Sequence, residues 1–303
     1  MTRKLAWPVV GYIAALVLTW GICWPVYKFG LNYTPPLLYA GLRTFLGGVL
    51  MAALALPRWK ALQWRRNWRI YAISSLLNVF LFFGLQTVGL VYLPSGMFSL
   101  LVYSEPVFVG LLAWKWLGET LAPTKVVGLL LGLLGVAACS FDRLPGSASG
   151  LGILLGLAAA ISWAAGTVYL KRVQAQVDMM WLVAIQCLLG GAGMMGAGSL
   201  FESWSEIQWT WPFLATVAFA MFFGVSSSWL IWFRLVQMGE VSRVAALTFL
   251  VPVISVVLSA LFLHETISGW LFAGLLLIAA SIYLVNHTPH PHRAAGEAPR
   301  TLG

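Results

Sequence analysis

The chain predicts an all-α integral membrane fold, and three observations lead there. Apolar residues make up 60% of it and charged residues 9%, too little polar surface to cover a water-soluble globule. The apolar runs are about twenty residues long, which as helix crosses roughly 30 Å of hydrocarbon; barrel strands would alternate, and these do not. Third, the stretch from Pro94 to Thr120, PSGMFSLLVYSEPVFVGLLAWKWLGET, is echoed from Glu240 to Thr266 as EVSRVAALTFLVPVISVVLSALFLHET. One offset of 146 residues superposes Pro106 on Pro252, Glu119-Thr120 on Glu265-Thr266 and Gly128 on Gly274. Repeated apolar segments interrupted at matching positions point to a transporter's central path.

Taken in order, ten spans follow: 6–29, 35–56, 68–91, 94–116, 122–140, 150–171, 178–200, 211–236, 240–263 and 267–285. Arg3 and Lys4 precede the first as in a signal peptide, but no small-residue cleavage pattern follows, so the span is retained. Thr34-Pro35-Pro36 opens the second span and Pro57-Arg58 closes it. Leu144-Pro145-Gly146-Ser147 divides the chain into a first five-helix repeat, 1–143, and a second, 144–286. The Pro-rich polar stretch 287–303 reads as a disordered tail. With the N-terminus inside, fifteen Lys and Arg fall on one face, while Lys28 and Arg143 fall on the other and Arg43 lies within a span. Both termini are therefore expected on the cytoplasmic side. Five spans per half makes the repeats inverted, and an offset of 143 in their earlier parts places Trp20 on Trp163 and Lys28 on Lys171. A binding site is expected where inverted repeats meet.

Several function classes fall away. The net charge of +9 is scattered over short breaks rather than gathered on one domain, which reads as topology and not as a nucleic-acid surface. Cys23, Cys139 and Cys187 lie inside apolar spans without CxxC spacing. No P-loop, catalytic-serine, zinc-protease or dinucleotide fingerprint is present. His287, His290 and His292 sit on a Pro-rich tail without rigid geometry. No catalytic residue, metal site or cofactor is expected; the partners are a small-molecule substrate and the bilayer, and the chain is expected to act as a monomer.

The residues resemble the drug/metabolite transporter superfamily in its EamA branch, on Trp20-Gly21, Arg43, Glu105-Pro106, and the runs Gly118-Glu119-Thr120 through Gly128 to Gly135 and Glu265-Thr266 through Gly274. Within it the chain looks most like the bacterial amino-acid exporters of the YddG type. The resemblance implies ten helices as a 5+5 inverted repeat, a central cavity and export of small metabolites across the bacterial inner membrane. The second half departs from it at two places: Val251 stands where Glu105 would recur, and Gln186 where Arg43 would.

Glu105 falls near mid-span, where an ionised group costs about 2.5–3.5 kcal/mol on insertion scales unless paired or hydrated. It reads either as a coupling or substrate-amine group or as a structural bond to another helix. Arg43 reads as snorkelling, as the partner of a carboxylate such as Glu105, or as a receptor for an anionic substrate group. Pro106 and Pro252 remove backbone donors and are the candidate hinges. Of sixteen tryptophans, eleven lie near predicted span ends, where an indole suits the interface. Trp20, Trp24, Trp163, Trp229 and Trp232 fall deeper, and Trp20 and Trp24 share a helix face. The candidate cavity comprises Trp20, Trp24, Asn78, Phe82, Gln86, Ser99, Tyr103, Trp163, Tyr169, Gln186, Ser228 and Trp229, and is expected to be wide. Hydroxyls among these can equally bond their own helix backbone. The rival readings are a multidrug pump, a nucleotide-sugar carrier, a membrane enzyme and an assembly or receptor subunit. A nucleotide-sugar carrier would need several cations within the spans, and Arg43 is the one there.

Overall fold

The computed structural model describes residues 7–93, 95–139, 149–255 and 269–287. The expectations for the 143/144 boundary, for Glu265-Thr266 and for most of the tail lie outside them. Every regular element among the described residues is helical: α1 Trp7–Gly30, α2 Pro36–Ala55, α3 Trp64–Tyr92, α4 Ser95–Val102, α5 Glu105–Leu117, α6 Pro123–Cys139, α7 Gly150–Val173, α8 Met179–Phe201, α9 Trp211–Met238, α10 Val241–Ser255 and α11 Gly269–His287. Seven helical stretches are long and apolar enough to cross a membrane: α1, α3, α7, α8, α9, Pro36–Leu62 and Phe98–Leu117. Shorter apolar helices stand at the fifth, ninth and tenth predicted spans. The helix at the end runs through His287, so the expected tail starts one residue later than the sequence suggests.

Side-chain caps hold the starts of α7, where Ser149 accepts from the Gly152 amide at 3.3 Å, and of α8. At α8 the Asp178 carboxylate accepts from the Met180 and Trp181 amides at 3.0 and 3.1 Å. At α2 the cap position is Pro35, which has no side-chain acceptor to offer. Glu202, just beyond the end of α8, supplies one instead, accepting from the Leu37 and Leu38 amides at 2.8 Å each.

Two helices change pitch where the sequence shows no proline. α3 contains a π-helical segment at Leu76–Leu81 and α9 one at Ala220–Ser227. Widening the turn leaves carbonyls short of their usual donors. Ser162 of α7 donates to the Leu77 carbonyl at 2.8 Å, while in α9 Ser226 and Ser227 donate to Met221 and Phe222, five residues back, at 2.7 and 2.8 Å. Ser228 does the same to Phe223. The fourth span, expected to be interrupted at Pro106, is broken just before it, at Tyr103-Ser104. The Tyr103 amide donates to Ser99 and the Ser104 amide to Leu101, and Pro106 begins the new helix α5 rather than kinking an old one. The matching stretch of α10 tightens into a 3-10 turn at Leu247–Phe249, just ahead of Pro252.

Two close helix pairs order the bundle, and each pair joins counterparts from the two halves. Along α2 and α8, a Cβ on Gly48 would lie 2.7 Å from the Leu188 nitrogen and one on Gly191 2.5 Å from the Phe45 nitrogen. The offset of 143 carries Gly48 onto Gly191 and Phe45 onto Leu188, so the second contact is the first with the halves exchanged. Along α6 and α11, a Cβ on Gly128 would meet the Ser281 carbonyl at 3.2 Å and one on Gly135 the Gly274 carbonyl at 2.9 Å. The offset of 146 exchanges those two contacts likewise. In both pairs residue numbers rise on one helix as they fall on the other, so the partners are antiparallel. Backbones this close require glycine, the small-residue packing that substitutes for a hydrophobic driving force inside a bilayer.

Lysines repeat the same exchange. Lys28, near the end of α1, donates to the Leu90 carbonyl and to that of Leu93 at 3.5 Å. Lys171, near the end of α7, donates to the carbonyls of Val236 at 2.8 Å, Gln237 at 3.3 Å and Gly239 at 2.9 Å. Each cation thus closes the C-terminus of a π-containing helix, α3 or α9, where free carbonyls and the helix dipole favour positive charge. Lys28 lies toward the start of α2, since Gly30 abuts Tyr39. Lys171 lies toward its far end, where Asn67 donates to the Gln176 carbonyl and the Trp181 indole to that of Arg58. A helix of the 20 residues in α2 separates the two by about 30 Å.

Candidate functional site

The middle of the bundle is aromatic. From α1 come Trp20, Trp24 and Tyr27, at intervals of four and three residues, so one helix face presents all three. Facing them are Phe82 and Phe83 from α3, Tyr103 from the α4–α5 break, Trp163 from α7, and Trp229 and Trp232 from α9; all are buried. Trp20 meets its repeat counterpart Trp163 edge to face, centroids 5.3 Å apart, and Trp163 stacks on Phe82 at 5.0 Å. Trp232 closes a triangle at 5.6 Å from Trp20 and 5.7 Å from Trp163. The Trp24 indole donates to the Tyr103 hydroxyl at 3.2 Å. Such contacts each add about 0.5–1.5 kcal/mol beyond the area they bury.

The rings enclose a void of about 30 Å³ lined by Trp20, Cys23, Trp24, Tyr27, Phe82, Phe83, Gln86, Val102, Tyr103, Trp163, Gly224 and Trp229. That is about one water's share of volume, against about 300 Å³ or more for ligand pockets. The wide cavity expected from sequence is therefore not open in this structure, because the bulky side chains read as its lining also fill it. Enlarging it means turning rings, and Tyr103 stands on the α4–α5 break where the backbone is already interrupted.

Of the twelve cavity residues expected from sequence, Trp20, Trp24, Phe82, Gln86, Tyr103, Trp163 and Trp229 meet at the void. The other five do not line it. Ser228 spends its hydroxyl on the π segment of its own helix. Asn78 is in the π segment of α3, packed so tightly on Gly166 that a Cβ there would lie 2.1 Å from its Oδ1. Ser99 and Gln186 are buried elsewhere, and Tyr169 is half-buried. Tyr27, Phe83 and Cys23 line the void without having been expected there. The four-and-three spacing after Trp20 is the signal that finds Tyr27. The tryptophans expected at the interface divide as their depth implies: Trp59, Trp64, Trp68, Trp114, Trp116, Trp204, Trp209, Trp211 and Trp270 are exposed. Trp181 is the exception, buried with its indole nitrogen bonded to Arg58.

Two charges flank this chamber without meeting. Glu105 is fully buried at the start of α5, and among the described residues neither carboxyl oxygen has a hydrogen-bond partner; Thr167 of α7 lies beside it without closing a bond. Arg43 is fully buried on α2, its guanidinium carbon 3.8 Å from the Tyr27 ring centroid and 4.9 Å from that of Phe83, with Nη2 donating to Thr87 at 3.0 Å. Of the three readings of Arg43, pairing with Glu105 does not form: the arginine rests on aromatic faces, a cation–π environment.

At the end of the bundle near Lys171, charges do pair. Lys125, 2% exposed, contacts Glu119 at 3.1 Å and Glu240 at 3.4 Å. Glu119 accepts from the Val241 amide at 2.7 Å and from the Ser242 hydroxyl, capping α10 across the two halves. Glu119 thus holds a helix start of the second half and a lysine of the first with one carboxylate.

An all-helical bundle with membrane-capable spans, paired repeats and a buried aromatic centre defines the class of helical membrane transporters. The sequence profile described as the EamA-like transporter family matches twice, over residues 7–141 and 150–287, and the chain belongs to that family. It is 48% identical over 283 residues to the uncharacterized transporter YvbV of Bacillus subtilis, covering 93% of each chain. It is 31% identical to a probable amino-acid metabolite efflux pump of Salmonella typhimurium, covering 90% of this chain and 93% of that one. A crystal structure with 22% identity superposes with a TM-score of 0.78 over 91% of this chain and 96% of its own, and shares the fold.

Proposed function

We propose that this membrane transporter is a secondary exporter of small metabolites, amino acids foremost and aromatic and other neutral ones among them. It works by alternating access in a bacterial inner membrane, with ten spans as two inverted five-helix repeats and both termini cytoplasmic. The observation that carries the reading is the aromatic chamber between the halves, where Trp20 and Trp163, equivalent positions of the two repeats, touch. Antiparallel contacts that survive exchange of the halves in α2–α8 and α6–α11 support the inverted repeat. The efflux-pump name of the relative from Salmonella typhimurium supports amino-acid metabolites as cargo. The breaks before Pro106 and Pro252 are where the helices bend as one mouth opens and the other closes.

Counterflow of labelled tryptophan, phenylalanine, methionine and threonine in proteoliposomes tests this reading. Wild type exchanges at least one of them, and Trp163→Ala loses the exchange while keeping its folded fraction. Absence of all four in sealed vesicles holding folded protein would contradict the cargo assignment, and drug cations would be assayed next. With Glu105→Gln, loss of the response to a pH gradient while exchange persists marks that residue as the coupling group. An unchanged response would show that it has no such role.

A further inference from the structure

Arg43 presents a problem that the helix bundle alone does not solve. Its Nε and Nη1 donors are buried without hydrogen-bond partners, and among the described residues no carboxylate pairs with it. Buried charge and buried donors are both costly when left uncompensated. Thr87 and the stacked rings answer part of that cost, but aromatic faces accept N–H groups poorly compared with a carboxylate. The two rings nearest the guanidinium, Tyr27 and Phe83, stack on it and are also faces of the central void, which Cys23, one turn before Tyr27, lines as well. A planar fork of donors matches a carboxylate in two parallel bonds. The second half has Gln186 at the equivalent position, so the chamber has one such fork and an orientation follows from it.

We propose that Arg43 is the carboxylate-reading residue of the chamber, so that the cargo is a carboxylate-bearing, aromatic or apolar small molecule held by its acid group at the α2 side. This deepens the amino-acid reading above and rests on it. The amine of an amino acid is then the secondary determinant, and molecules with an amine but no acid are discriminated against.

The test uses the reconstituted full chain and competes labelled tryptophan counterflow with three indoles: tryptophan, indole-3-propionate and tryptamine. Wild type is expected to take indole-3-propionate as a competitor and to take tryptamine about ten- to a hundredfold less well. In Arg43→Gln that preference disappears, and Arg43→Lys, which keeps the charge but not the fork, restores part of it. A purely structural arginine would lower flux or yield without altering the order of the competitors. If Arg43→Gln does not fold, the wild-type order and Arg43→Lys decide. Equal competition by tryptamine and indole-3-propionate in wild type, or an undiminished carboxylate preference in the variants, overturns the proposal while leaving tryptophan export intact. If wild-type vesicles carry none of tryptophan, phenylalanine, methionine and threonine, the amino-acid reading falls first and this proposal with it; if another of the four is carried instead of tryptophan, the same competition is run with that label and its deaminated acid and decarboxylated amine.

Discussion

The ends of the molecule and its centre treat the internal repeat differently. At the ends and along the helix seams the two halves remain equivalent: Lys28 and Lys171 close the same helix terminus in each half, and Gly48 and Gly191 make exchanged contacts. At the centre they diverge. Arg43 faces no second arginine, because Gln186 stands there, and Glu105 has Val251 as its counterpart. Alternating access requires that opening either end have a similar free-energy cost, which a symmetric framework supplies. Recognising a polar molecule requires distinct groups at distinct places, which symmetry would forbid. On the alternating-access proposal, the difference assigns motion and selection to different layers of one bundle.

Substitutions sharpen that contrast, and the largest effect belongs to the seams. Gly191→Val and Gly48→Val each force side-chain atoms into backbone, at about 3 kcal/mol or more apiece, and the pair should lose folded protein to the same extent. Matched yields and melting temperatures in detergent check this, and a large inequality would break the equivalence. Next come the lysines. Lys28→Met and Lys171→Met each free helix-terminal carbonyls, at about 2 kcal/mol. Here the account requires equal stability losses with opposite consequences for access. Glu119→Gln keeps the helix cap but leaves the buried Lys125 with Glu240 alone and should cost a similar amount, about 2 kcal/mol, with loosening confined to the Lys171 end. Smallest is Ser227→Ala, whose hydroxyl is exposed and bonds only its own helix; a change within about 0.5 kcal/mol is expected in the melt.

Much of this was legible in the chain because crossing a bilayer is a property of length and polarity. Most long helices end within two residues of where the apolar runs do, and α3 starts earlier because Trp64 to Asn67 extend it past the hydrocarbon. The depth of the tryptophans followed from the same reasoning. The π segments were not legible as such, since a shifted backbone bond leaves no obligatory side-chain mark. Ser228 reads from sequence as cavity lining, whereas its hydroxyl, like those of Ser226 and Ser227, satisfies a carbonyl five residues back. Tyr27, two residues from the predicted end of its span, is placed at the void only by its three-residue spacing after Trp24. Among the readings of Arg43, a Glu105 partner is replaced by the Tyr27 and Phe83 rings, whose attraction for a cation has no charge to count in sequence.

The most direct measurement uses Cys23, a buried thiol on the wall of the void. With Cys139 and Cys187 replaced by alanine, membrane-impermeant maleimide is applied from either side of oriented vesicles to protein carrying Lys28, Lys171 or neither as methionine. Wild type should label slowly from both sides. Lys28→Met should speed labelling from the side opposite the termini, and Lys171→Met from the cytoplasmic side. Acceleration of both variants from the same side, or of neither, would contradict a symmetric framework that opens one end at a time around an asymmetric centre.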